Sequence, residues 1–239
     1  MIAISVEGLE KNFGSVKAVD GASFSVSAGE IFGLIGPNGA GKSTTLRIVS
    51  TLLQPSNGSV NVFGHDVVKE ASEVRKLISY LPEDAGAYKN LKGIEYLNFM
   101  AEFFVKNREE REQMVKRAVE LSALGERLND KISTYSKGMM RKILVARALM
   151  IKPKLAILDE PTGGLDVLNA REVRDTVKRF AKEGTAFLLS SHNMLEVDFL
   201  CDRIALIDRG RIVETGKPAE LKEKYKAANI EDVFVEVIS

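Results

Sequence analysis

At 239 residues, 45% hydrophobic and 28% charged, the chain can bury a sizeable core, in one large domain or two small ones, and has the make-up of an ordinary globular protein. A net charge of +1 excludes a general electrostatic attraction to nucleic acid, and no nucleic-acid partner is expected. The single cysteine, Cys201, excludes an intrachain disulfide and any zinc site built on several thiolates; with no leader-type N-terminus and no apolar run of about eighteen residues, the chain is expected neither to be secreted by that route nor to cross a membrane itself.

Ile2 to Leu9 and Ala22 to Val26 are short, partly alternating runs with Asp20-Gly21 and Ala28-Gly29 as breakers, which predicts two antiparallel strands. Phe13-Gly14 falls in the turn between them. Phe13 reads either as a core aromatic or as an exposed ring that can stack on a purine. The apolar run Ile31 to Ile35 then leads into Gly36-Pro37-Asn38-Gly39-Ala40-Gly41-Lys42-Ser43, followed by Thr44 to Val49, which can start a helix. This is G-x-x-x-x-G-K-[ST] in the strand-to-helix context the motif requires. Its glycines let backbone N–H groups turn toward phosphate oxygens, and the helix adds the positive end of its dipole. Lys42 would reach the β- and γ-phosphates and Ser43 would hold Mg²⁺.

Gln54 to Gly58 is a turn, Ser59 to Phe63 a strand, and His65 sits in a surface turn without assigned chemistry. Glu70 to Lys76 is helical, and Leu77 to Leu81 is a strand ended by Pro82. From Asp84 to about Met150 the strand signal disappears. Ile94, Leu97, Met100, Ala101 and Phe104 recur at helical spacing, Lys106 to Glu112 is a solvated charged stretch, and Met114, Ala118 and Leu121 continue a second helical face. Ser136 could cap the helix Met139 to Met150, or that helix start could bind an anion; residue patterns leave both open.

Leu155 to Leu158 is an uninterrupted apolar run suited to a strand buried on both faces. Asp159-Glu160 follows it, at the carboxyl end where α/β sheets bind ligands. Asp159 is placed to hold Mg²⁺ opposite Ser43, and Glu160 to orient and polarise an attacking water. Arg171 to Lys182 is an amphipathic helix, Ala186 to Leu189 another buried strand, and His192 emerges at the same edge, able to meet a γ-phosphate oxygen or the water. Arg203 to Asp208 and Ile212 to Thr215 form a hairpin through Asp208-Arg209-Gly210-Arg211. Strands alternating with helices predict an α/β fold: a P-loop core with a mainly parallel sheet, an N-terminal antiparallel β part and an inserted helical subdomain. The expected boundaries are one domain over 1–239, with the core in 1–83 and 151–239 and the helical part in 84–150.

Taken together, these residues resemble the ATPase subunit of ATP-binding cassette (ABC) transporters, over nearly the whole chain. Gly36 to Ser43 stands as Walker A, Leu155 to Glu160 as Walker B, Gly164-Leu165-Asp166 as the D-loop, His192 as the switch histidine and Phe13 as the adenine-stacking aromatic. Tyr135-Ser136-Lys137-Gly138-Met139, with Arg141 and Ala146-Arg147-Ala148-Leu149 after it, stands where the signature Leu-Ser-Gly-Gly-Gln is expected. Two departures are notable: the signature keeps only Ser136 and Gly138, and Glu83 replaces the Q-loop glutamine, a carboxylate that can reach Mg²⁺ or its waters but lacks an amide's donor.

The resemblance implies an ATPase using ATP and Mg²⁺, with nucleotide held by Phe13, Gly36 to Thr44, Ser136 and Gly138, metal by Ser43, Glu83 and Asp159, and catalysis by Glu160, His192 and Lys42. It further implies a head-to-tail pair with a second copy or a related subunit, Ser136 and Gly138 completing the other's site. Separate membrane-spanning permease subunits would meet the segment Glu83 to Leu97, and the chain would lie on the cytoplasmic face of the membrane. The tail Ile230 to Phe234 resembles that of export-type, multidrug or antibiotic efflux subunits. The other readings of the same motifs are a soluble ABC-type ATPase acting as a conformational clamp or assembly factor, and a small-molecule kinase.

Overall fold

A computed structural model describes residues 1–238, the side chains of Leu195 and Glu196 excepted. Two long strands, β1 (Ile2–Phe13) and β2 (Val16–Ser27), pair antiparallel, and β1 pairs on its other side with β4 (Asn57–Val62), which in turn pairs with β5 (His65–Asp66). β1 runs on past Leu9, and β2 begins well before Asp20-Gly21, the breaker expected to bound it, while ending before Ala28-Gly29 as expected. Gly8 and Gly21 take positive φ, 55° and 76°, at irregularities in the β1–β2 register, so these glycines form bulges rather than ends. Pairing along both edges of β1 outweighs the local turn preference.

The second sheet has the order β10-β9-β3-β8-β7-β6. Its members are β3 (Ile31–Ile35), β6 (Ile78–Leu81), β7 (Leu155–Asp159), β8 (Ala186–Ser191), β9 (Arg203–Asp208) and β10 (Arg211–Gly216). All neighbours are parallel except the hairpin of β9 with β10. β3 and β7 are buried at every position, as strands covered on both faces must be. On one side, α1 (Lys42–Val49) buries Leu46, Ile48 and Val49 in a core shared with the antiparallel sheet, and α2 (Ala71–Leu77) adds Val74.

The other face carries α3 (Gly93–Glu102), α4 (Arg108–Ser122), α5 (Lys137–Leu149) and α6 (Val167–Lys182). Leu97, Ala118, Leu121 and Leu144 share one core with Leu158 and Phe187 of the sheet, so the helical stretch has no core apart from it. Phe104, expected on the buried face of α3, lies beyond the end of that helix and is exposed, whereas Tyr96, outside the expected set, is buried on it. Three short helices, α7 (Met194–Val197), α8 (Pro218–Tyr225) and α9 (Ile230–Ile238), close the last corner on Leu206 and Ile35. Cys201 sets its sulfur against Gly33, and burial raises the thiol's pKa, as befits a packing residue.

Candidate functional site

Strands β3, β7 and β8 run parallel and end together, so the loops after them converge. The loop after β3 is pressed into place at two glycines. A Cβ on Gly36 would lie 2.1 Å from the Ile207 carbonyl oxygen, and one on Gly41 would lie 2.3 Å from that of Ala18. Gly41 also carries φ 103° as it hands the chain to α1. No side chain caps that helix start, so its first N–H groups face the loop's concavity.

A cleft of about 310 Å³ opens there, lined by Ala18, Asn38, Gly39, Gly41, Lys42, Ser43, Thr44, Glu83 and Glu160. Lys42 is 6% exposed, and its Nζ donates to the carbonyls of Gly36 at 2.7 Å and Pro37 at 3.0 Å. It also stands 3.9 Å from Glu160 Oε1. His192 Nδ1 lies 2.9 Å from the same carboxylate oxygen, close enough for an Nδ1–H to donate to it. Glu160 has φ 49°, an unusual conformation for a residue with a side chain, and sits just past β7.

Burial pushes the Glu160 carboxyl above its ordinary value, with His192 and Lys42 pulling the other way. Burial likewise lowers the Lys42 ammonium, opposed by Glu160, Asp159 and Glu83. Glu160 and Lys42 are thus a buried pair in which burial and mutual attraction pull each pKa in opposite directions.

Asp159 is 1% exposed and lies beneath the cleft rather than on its wall. Ser190 Oγ donates to its Oδ1 and accepts from the Glu160 backbone N–H at 3.0 Å. One hydroxyl on β8 thus fixes Asp159, at the end of β7, and Glu160 just past it. The oxygen donors Ser43, Glu83 and Asp159 suit Mg²⁺, which keeps waters and phosphate ligands instead of an all-protein cage. Among the described residues no cluster of three or more His, Cys, Asp or Glu is arranged to hold a metal alone. The residues therefore fit an ion that arrives with a phosphate chain.

Phe13 is half exposed at the tip of β1, with Lys11 Nζ 5.1 Å from its ring centre, and does not line the cleft. Ser136 and Gly138 do not line it either. The Ser136 Oγ accepts from the Met139 N–H at 3.2 Å, which makes it the cap of α5. Gly138 is buried against α6, where a Cβ would meet Asn169 Nδ2 at 2.6 Å. Lys137 lays its side chain over Gly164. Within one chain, then, Lys42, Ser43, Glu83, Glu160 and His192 gather with Asp159 beneath them, while Ser136 and Gly138 belong to a separate corner.

Residues 19–163 match the family model described as ABC transporter. The chain belongs to the ABC transporter family. Among its relatives, the linearmycin resistance ATP-binding protein LnrL of Bacillus subtilis is 38% identical over 91% of this chain and 70% of its own length. The daunorubicin/doxorubicin resistance ATP-binding protein DrrA of Streptomyces peucetius is 40% identical over 92% and 67%. A solved ATP-binding subunit of an ABC transporter superimposes with a TM-score of 0.88 at 27% identity, over 99% of this chain and all of that one. This ABC ATPase is thus the ATP-binding part of a transporter, and no helix among its described residues is long and apolar enough to cross a membrane.

Two further residues of this ABC ATPase have partners that a reading of the motifs does not reveal. Ser190 lies on a strand whose sequence is simply apolar-then-serine. Arg141, 58 residues from its partner, donates through Nη2 to the Glu83 carbonyl at 3.2 Å. Only the fold reveals either role.

Proposed function

We propose that this chain hydrolyses ATP with Mg²⁺ to drive export through separate membrane-spanning subunits, working as a head-to-tail pair at the cytoplasmic face of the membrane. The observation that carries the hydrolytic reading is the convergence of Glu160, Lys42 and His192 on the P-loop cleft. Nucleotide phosphates would be held by the N–H groups of Gly36 to Thr44, with Lys42 leaving the Gly36 and Pro37 carbonyls for phosphate oxygens. Mg²⁺, held through Ser43, with Glu83 and Asp159 reaching it directly or through water, would supply neutralisation of phosphate charge.

Glu160 accepts a hydrogen bond from the attacking water and takes its proton as the new P–O bond forms and the bond to the ADP oxygen breaks. His192 orients that carboxylate and meets the γ-phosphate. Ser190 keeps Asp159 and Glu160 in fixed relation, and Phe13 stacks on the adenine. Ser136 and Gly138 act on nucleotide held by the second copy.

Export is favoured because relatives such as LnrL and DrrA are named as antibiotic resistance proteins. The segment 84–150 is read as a helical subdomain that meets the permease. In support, Tyr88, Phe99 and Phe103 stack edge to face with centroids 5.4 and 5.1 Å apart and are exposed. Beside them lies a groove of about 360 Å³ lined by Tyr88, Lys89, Asn90, Leu91 and Phe99. Phosphate release from ATP by purified wild type and Glu160→Gln tests the chemistry: equal rates would remove Glu160 from its role. Copurification of a polytopic membrane protein from gently solubilised membranes tests the transport assignment, and its absence would favour a soluble clamp.

A further inference from the structure

Lys137, the first residue of α5, is exposed, and its amine makes no hydrogen bond or ion pair among the described residues. The next lysine on that helix, Lys142, is answered by Glu172 of α6 at 2.7 Å. The Lys137 stem is nevertheless guided. A Cβ on Gly164 would lie 2.0 Å from Nζ, 3.0 Å from Cε and 3.8 Å from Cδ, so the side chain occupies the space that the glycine leaves open. Gly164 carries φ 65°, which independently disfavours a side chain there. Beside this channel, Val167 and Leu168 open α6 at 79% and 74% exposure. One corner thus carries a guided but unanswered cation next to two uncovered apolar side chains, the make-up of a surface that receives a second molecule.

The complementary charge lies on the cleft. Glu83 and Glu160 line its wall and Asp159 lies beneath it, with Lys42 as the cation among them. Bound ATP adds more negative charge than one Mg²⁺ offsets, and hydrolysis proceeds through a γ-phosphoryl group whose oxygens carry that charge. Lys137 does not line the cleft of its own chain. The cleft that can answer its amine is that of another copy.

We propose that Lys137 is a specificity-determining cation supplied in trans, its amine pairing with a γ-phosphate oxygen of nucleotide held by the second copy. This rests on the head-to-tail reading above and goes beyond it by giving charge recognition to a position where the resemblance leads one to expect glycine. Ser136 and Gly138 offer neutral donors, which any phosphate can engage. Lys137 adds a point charge, whose worth depends on how much negative charge faces it. ATP presents that charge, whereas ADP leaves the amine without its acceptor. The lysine therefore makes closure of the pair depend on the γ-phosphate more steeply than neutral donors alone would.

Sedimentation velocity on Glu160→Gln, which preserves ATP during the run, measures pairing with Mg²⁺-ATP and with Mg²⁺-ADP, alone and combined with Lys137→Met. Methionine keeps an unbranched stem over Gly164 and removes the charge. Pairing with ATP should weaken by at least ~10-fold, the order of one charge-assisted hydrogen bond, and should lose part of its sensitivity to salt. Any pairing with ADP should be unaffected. Pairing with ATP that ignores Lys137→Met would overturn the proposal, as would an equal loss with ADP, the mark of a general surface contact. Weaker ATP binding by the single chain, at concentrations too low to pair, would put the amine on its own cleft and overturn the assignment in trans. Failure of Glu160→Gln to pair in ATP at all would overturn the head-to-tail reading itself, whereas insensitivity to Lys137→Met overturns this proposal alone.

Discussion

The starts of α1 and α5 are two helix N-termini with opposite fates. α1 follows Gly41 and has no side-chain cap, while α5 follows Ser136, whose hydroxyl accepts from Met139 N–H. Next to it, α6 follows Asp166, whose carboxylate accepts from Asn169 N–H at 3.0 Å and from its Nδ2 at 2.6 Å. Uncapped amides are available to a ligand; capped ones already have an acceptor. The cleft edge is therefore built to receive phosphate within one chain. The α5–α6 corner is structurally finished without a ligand, and what it offers a second copy is the exposed surface of Ser136 and Lys137.

If that contrast is right, the largest effect belongs to the cleft. Glu160→Gln should lower ATP hydrolysis by ~10²–10⁴-fold, the usual worth of a general base, while nucleotide still binds, as phosphate release and equilibrium binding would show. Phe13→Ala should weaken ATP binding by ~1–3 kcal/mol, the range for a base stacked on an aromatic ring, with little change in melting because the ring is half exposed. An unchanged affinity would return Phe13 to a packing role.

At the other corner, Ser136→Ala should cost about 1 kcal/mol of stability by removing the cap. Ser136→Asp should restore the cap and the melting temperature but place a negative charge where a partner's phosphate is proposed to sit. Hydrolysis lower in Ser136→Asp than in Ser136→Ala would separate anion binding from capping; equal rates would leave Ser136 a cap alone.

The smallest effect is one of pH. Because the Glu160 carboxyl is raised above its ordinary 4.5 by burial, the native chain binds more protons than the unfolded one between that value and the raised one. Stability therefore falls as pH rises through this window, with Lys42, His192 and Glu83 facing the same group. Glu160→Gln should melt like wild type below pH 4.5 and higher than wild type near neutrality. A constant difference across the range would mean that the carboxylate's charge is not what the site resists.

Much of the cleft was legible in the chain because its information is local. The loop glycines, Lys42 and Ser43 are contiguous, and β7 announces itself as an apolar run ending in two acids. Asp20-Gly21 misled because a glycine that breaks an isolated strand becomes a bulge once the strand is paired along a longer partner. Phe104 misled because helical spacing continues past the point where α3 stops. The partners of Ser190 and Arg141 were illegible for a different reason: they lie 30 or more residues away, and although Arg141 stands just after the signature-like stretch, nothing there points to Glu83. That Ser136 caps α5 depends on which donor stands opposite the hydroxyl, a fact of three dimensions.

The corner where α5 meets α6 also shows where residues 135–138 have room for a long side chain. Ser136 holds a cap and Gly138 has no room beside Asn169. Tyr135 reaches outward to the Arg127 carbonyl, and the stem of Lys137 finds space over Gly164, where no side chain competes. An alanine at 138 would push on the Asn169 amide that Asp166 accepts from, so the start of α5 is mechanically coupled to the cap of α6.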